Sequence, residues 1–289
     1  MRVRPNKRRK PPRVVTTERD IELFQALHTH GVMSRVQIQD YFGWDCVSDA
    51  NRRLRKLFDA GFVDRRFVPR KFGPTPAVYM VGNEGARVLV NERKTEEKYV
   101  NRRRYRFKNI SDNLLSHELL ITEFACLLKS VFRRYSGCEL CDWQSDDKLA
   151  DKCNLIETGG DLLLKPDAFG SYHLHKMLFN IFLEADLGTE PLARINKKVE
   201  LYRSFKASGL FERNFGHKFF GLFIVVNSDT RAANISQVLP AIHDLKVFVG
   251  NIETIRIDPL FAPVWLQAGC DKQISIHAAA NLSIGGSQS

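Results

Sequence analysis

"FLEADLGTEP", Phe182 to Pro191, sets three carboxylates, Glu184, Asp186 and Glu190, at the end of an apolar run that begins like a buried strand. The 289-residue chain around it is strongly basic, with 44 Lys and Arg against 33 Asp and Glu and a formal net charge of +11. Acids gathered at a strand end in such a chain either converge on a cation or are neutralised by the protein's own basic groups. Both readings are open at this point.

Upstream, "KPDAF" places Asp167 after Pro166 at a strand entry, and the hairpin partner ends in "LEAD". Glu184 and Asp186 are two residues apart in a strand, so they share one face, and Asp167 can meet Glu184 across the hairpin. A further acid is available from the helix "SHELLITEF", where Glu118 and Glu123 lie, and a lysine from "INKKVELY", where Lys197 and Lys198 follow the acidic strand. Convergent carboxylates suit a hard cation such as Mg²⁺ or Mn²⁺, which takes oxygen ligands and keeps water for phosphodiester chemistry. The competing reading has the acids satisfied by Arg194 and by the N-terminus of the next helix, where negative charge is favoured.

The segments around this stretch define a second domain over residues 111–270. It opens with the amphipathic helix "SDNLLSHELLITEFACLLKSVFRRY". Strands then follow around "CELCDW", "DLLLKPDAF" and "MLFNIFLEADL". After them come the helix "EPLARINKKVELYRSF", the strand "KFFGLFIVVN", the helix "TRAANISQVLPAIHDL" and a last strand "NIETIRID". The order α-β-β-β-α-β-α-β predicts an α/β (α+β) mixed sheet flanked by helices.

Ahead of it, residues 17–92 read as three short helices and a hairpin. "TERDIELFQALHTHG" has a Thr cap, apolar residues at helical spacing and Gly31 as a stop. "SRVQIQDYFG" pairs Ser34 with Gln37 as a capping box. "SDANRRLRKLFDAGFV" is capped at Ser48, buries Leu54, Leu57 and Phe58, and carries Asn51, Arg52, Arg53, Arg55 and Lys56 outward. Two strands, "FVDRRFV" and "AVYMVG", flank the loop "PRKFGPTP". This is the order of a winged helix-turn-helix, whose third helix enters a major groove of double-stranded DNA; a solvated basic face is the bland alternative. Residues 93–110 carry "RRRYR" and read as a charged linker, with Arg103 and Arg104 able to track a phosphate backbone. Residues 1–16 are expected to be a disordered basic arm and 271–289 a disordered tail.

"KPDAF", "FLEADLGTEP" and "KKVELY", behind a winged helix and the "SHELLITEF" helix, resemble the replication-relaxation family of plasmids and mobile elements. They also resemble, over residues 111–258, the PD-(D/E)XK restriction-endonuclease-like fold. The resemblance implies Asp167 and Glu184 as metal ligands, Asp186 as an added ligand and Glu118 as the helix acid. It further implies a site-specific, metal-dependent nickase or relaxase-like protein acting in mobilisation or replication, or else a catalytically inactive DNA-binding regulator or replication accessory factor. Where the PD-(D/E)XK pattern has Lys, this chain has Asp186, so the lysine would have to come from Lys197 or Lys198.

Other motifs weigh less. His173 and His175 form the His-hydrophobe-His pattern of another class of nicking enzymes, with Tyr202 as a nucleophile, but they fall where a hairpin turn is expected. Cys138 and Cys141 lack the second tight pair that structural zinc wants, and buried thiols fit them better. No phosphate-cradling Gly-rich loop is present. A sequence pI of about 9.5 favours polyanionic partners. No apolar run reaches the roughly 20 residues of a membrane span, and six irregularly spaced Cys suit a reducing compartment, so a cytoplasmic location is expected. Partners beyond DNA, whether a second copy of the chain or other mobile-element proteins, have no dedicated element in the sequence.

Overall fold

A computed structural model of the chain describes residues 13–68, 77–145, 147–153, 164–269 and 272–277. Most of the expected N-terminal arm and C-terminal tail, and the loop 69–76, lie outside the described residues. The chain divides into two compact units, Met1–Cys126 and Leu127–Ser289. The first is largely helical, and the second is a mixed β-sheet flanked by helices.

In the first unit α1, Glu18–His30, starts behind Thr17, whose backbone N–H donates to Asp20 at 2.7 Å. It buries Leu23, Phe24 and Leu27, and Gly31 ends it at φ 77°. β1, Met33–Ser34, leads into α2, Arg35–Phe42. There the Ser34 hydroxyl accepts from the Gln37 N–H at 3.2 Å and the Gln37 side chain accepts from the Ser34 N–H at 2.8 Å, a complete capping box. α3, Val47–Asp59, begins one residue before the expected Ser48 cap, with Cys46 at the cap position. β2, Val63–Phe67, and β3, Ala77–Val81, complete an antiparallel sheet of order β1-β3-β2.

Two sequence expectations are corrected here. Residues 93–110 are not a linker: α4, Asn83–Asn91, is followed by α5, Glu97–Lys108, which buries Val100 and Phe107. β3 explains why. Its Tyr79 and Val81 face the core formed by α1 to α3, which Val100 joins, while Val78 and Met80 face a second cluster with Phe107, Ile110 and Leu115. A strand apolar on both sides needs cover on both. The boundary between units also lies later than Ser111, inside α6, Asp112–Arg134.

The second unit holds a seven-stranded sheet. β4, Cys138–Gln144, is followed by α7, Asp147–Cys153, then by β5, Ala168–Leu174, and β6, Met177–Asp186. Next come α8, Leu192–Ala207, α9, Leu210–Phe215, and β7, Gly221–Val226. α10, Asp229–Val238, leads to β8, Lys246–Asn251, and the chain closes with α11, Ile252–Ile255, β9, Trp265–Gln267, and β10, Gln273–Ile274. The order across the sheet is β10-β9-β8-β7-β6-β5-β4, with β6, β7 and β8 parallel at the centre. "NIETIRID", expected as a strand, is instead the end of β8 followed by α11. One face of the sheet packs Phe169, Phe182 and Ile224 against Val199 and Phe205 of α8, Phe211 of α9 and Ile235 of α10. Among the described residues no helix is long and apolar enough to cross a membrane.

Candidate functional site

The acids meet where β6 leaves the sheet. Ala168 pairs with Leu183 in antiparallel register, so Asp167, one residue before β5, lies beside Glu184, and its Oδ2 accepts from the Ala185 N–H at 2.8 Å. Glu184 and Asp186 are each 5% exposed. α8 supplies the groups that answer Glu184. Lys198 and Tyr202 are four residues apart and so share a face. Lys198 Nζ donates to Glu184 Oε2 at 2.9 Å and the Tyr202 hydroxyl donates to Oε1 at 2.6 Å.

Asp186 is answered from elsewhere. The Gly188 N–H donates to its Oδ1 at 2.9 Å, and Arg231 Nε, from the first turn of α10, donates to Oδ2 at 2.6 Å. Arg231 also donates to the Glu190 carbonyl, while the Glu190 carboxylate faces Lys198 at 3.3 Å and Arg194 at 3.6 Å. The stretch Phe182–Pro191 is therefore an ion-paired network with its cations supplied by α8 and α10.

The electrostatics follow from burial. Desolvation, with the Asp167 charge second, pushes Glu184 up to about 7, against the opposing pull of Lys198 and Tyr202. Burial works to lower Lys198, but Glu184, Asp167 and Glu190 overcome it and hold the ammonium charged. Tyr202 is raised well above the ordinary phenol, by burial first and Glu184 second, so its phenolate is disfavoured and it acts as a donor. That assigns Tyr202 a role in the network in place of the nucleophile considered from sequence.

A divalent cation asks for carboxylate oxygens aimed at one point. Both oxygens of Glu184 and both of Asp186 are already engaged by protein donors, and Asp167 accepts from backbone. Among the described residues no group of three or more His, Cys, Asp and Glu side chains is arranged to hold a metal ion.

The other expected site residues are scattered. Glu118 belongs to the first unit, where Arg106 donates to it at 2.6 Å. Glu123 accepts from the Gln37 amide at 2.8 Å. Lys197 is exposed, so of the two lysines it is Lys198 that joins the network. His173 lies at the end of β5, 3.5 Å from the Cys141 sulfur, and His175 occupies the turn at φ 53°. Arg231 was missed; its signal was a basic residue just past the apolar strand "KFFGLFIVVN", which runs parallel to β6 and ends beside Asp186.

The basic helix of the first unit is also selective. Asn51, Arg52 and Lys56 point to solvent. Arg53 turns inward to Asp20, with Nε to Oδ1 at 2.8 Å, and Arg55 bonds Asp59 at 2.9 Å. Arg52 and Lys56 edge a groove of about 670 Å³ that also includes Arg19, Trp44 and Asp49. Arg103 donates to the Thr29 carbonyl, and Arg104 to the Val81 carbonyl at 3.0 Å and to Asn83. These two hold α5 in place.

The fold is α/β, with a helical N-terminal unit ahead of a mixed sheet and an acid network at its strand ends. The replication-relaxation family matches residues 24–219, more than half of the chain, and the chain belongs to that family. No curated protein matches it. Among solved structures, restriction endonuclease FokI is similar at 11% identity and a TM-score of 0.27, over 85% of this chain and 44% of FokI, so the chain spans less than half the length of that enzyme.

Proposed function

We propose that this replication-relaxation family member is a site-specific DNA-binding protein of a mobile element. In this reading it serves as a regulator or replication accessory factor and does not cut. The order α1-β1-α2-α3-β2-β3 of the first unit supports a winged helix whose α3 reads duplex DNA through Asn51, Arg52 and Lys56. The second unit is read as a PD-(D/E)XK-like scaffold retained as a platform. The observation that carries this reading is the network itself: Glu184 and Asp186 have all four carboxylate oxygens engaged by Lys198, Tyr202, Gly188 and Arg231.

The test pairs fluorescence anisotropy on the element's own DNA with incubation of the same DNA, supercoiled, in Mn²⁺. Site-specific binding with intact supercoils is expected. Nicking that needs Mn²⁺ and disappears in Asp167→Ala would establish the nickase instead. One observation favours that second reading, the adjacency of Asp167 and Glu184 with Lys198 2.9 Å away.

A further inference from the structure

We propose that the outward face of α5 is a second nucleic-acid surface, one that takes an unpaired DNA strand. Tyr105 would stack on a base and Lys98, Arg102 and Lys108 would lie along phosphates. This rests on the reading of the protein as DNA-binding and names a different partner surface for it.

α5 has two unlike sides. Val100 and Phe107 fill the core, and Arg103 and Arg104 hold neighbouring backbone carbonyls. On the other side Lys98, Arg102 and Tyr105 follow at spacings of four and three, so they form one stripe, with Lys108 at its edge. Lys98, Arg102, Tyr105 and Lys108 are all exposed, and Tyr105 is 75% exposed. A large aromatic ring left in water amid cations is unusual in a helix that already has an apolar face to bury. Phosphate contact alone needs no ring, and a duplex hides the faces of its bases. A ring flanked by cations suits a strand whose bases are unstacked, where stacking is sequence-tolerant and the phosphates supply charge. The acids nearby, Glu96 and Glu97, lie at the N-terminal end of the helix, where Glu96 pairs with Lys98 at 3.1 Å.

The stripe is also separate from α3. Arg53 of α3 meets α1 at Asp20, whereas Arg103 of α5 meets it at Thr29, about 14 Å further along the helix axis at 1.5 Å per residue. In this proposal a duplex is held at α3 while the α5 stripe takes a separate strand, such as DNA opened beside a bound site.

The test is anisotropy of the full chain with a labelled oligothymidine and, separately, a duplex. Tyr105→Ala should weaken single-strand binding roughly tenfold and Tyr105→Phe should restore it. Lys108→Ala should lower the salt slope for the single strand by about 0.7, and Lys218→Ala, a charge control on an exposed residue, should change it little. Arg52→Ala with Lys56→Ala should weaken the duplex alone. Tyr105→Ala binding the single strand like wild type, or Lys218→Ala weakening it as much as Lys108→Ala, overturns the proposal while duplex binding stands. A wild-type chain that binds neither DNA overturns the DNA-binding reading as well.

Discussion

Tyr202 and Lys198 bracket Glu184 from one face of α8, the phenol at 2.6 Å on one carboxylate oxygen and the ammonium at 2.9 Å on the other. A buried carboxylate held this way joins β6 to its covering helix. Tyr202→Phe keeps the ring against Phe182 and Phe220 and deletes one hydrogen bond to a charged group. The expected cost is about 1.5–3 kcal/mol, read as a lower urea midpoint with the m-value unchanged. An unaltered midpoint would mean that the hydroxyl contributes nothing.

Lys198→Met removes the counter-charge from a buried acid, at a cost of about 3–5 kcal/mol when the acid must stay ionised. Because Glu184 can escape by taking a proton, the loss should be larger at alkaline than at mildly acidic pH. Adding Glu184→Gln should recover much of it, and a double-mutant cycle measures the coupling.

The pH dependence has a definite sign. Glu184 rises from 4.5 to about 7 on folding, so between those values the folded chain keeps a proton that the unfolded chain has released. The resulting stabilisation is full below 4.5 and is lost as pH rises through about 7. Wild type should therefore lose stability relative to Glu184→Gln across that window. A difference that stays flat with pH would show that the acid is not raised.

Gly31 sits at φ 77°, and a Cβ there would come within 2.0 Å of Phe107 Cζ. Gly31→Ala combines a left-handed backbone with overpacking, for an expected loss of about 2–5 kcal/mol. Denaturation of the variant checks whether α5 is seated on α1.

Within α3 the arginines divide by role. Arg52→Ala and Lys56→Ala should each weaken duplex binding and reduce the salt slope by about 1, with the urea midpoint unchanged. Arg53→Ala strips a partner from Asp20, which is 2% exposed, and should cost about 1–3 kcal/mol of stability. Equal stability of all three variants would remove the division.

Much of this was legible because it rests on local chemistry. The Ser34–Gln37 box, the glycine stops and the hairpin that puts Asp167 beside Glu184 are set by residues close in sequence. α5 was not legible, because its two buried residues are few among many charges and serve different clusters: Val100 joins the core of α1 to α3, and Phe107 matters only once β3 demands cover on its second face. β1 is two residues long, too short to show a period, and exists through pairing with Tyr79 and Val78. The same limit hid the outcome at the acids. Their spacing showed that they converge, but Arg231 arrives from 45 residues later and decides what they converge on.

The large sheet ends at β4 in a way that bears on how the chain keeps company with itself. That edge strand is bulged between Leu140 and Asp142 and turns Glu139 to solvent. Bulges and carboxylates make an edge a poor template for an incoming strand. Self-association by continuing the sheet at β4 would have to straighten the bulge and desolvate Glu139, which disfavours that route to polymerisation.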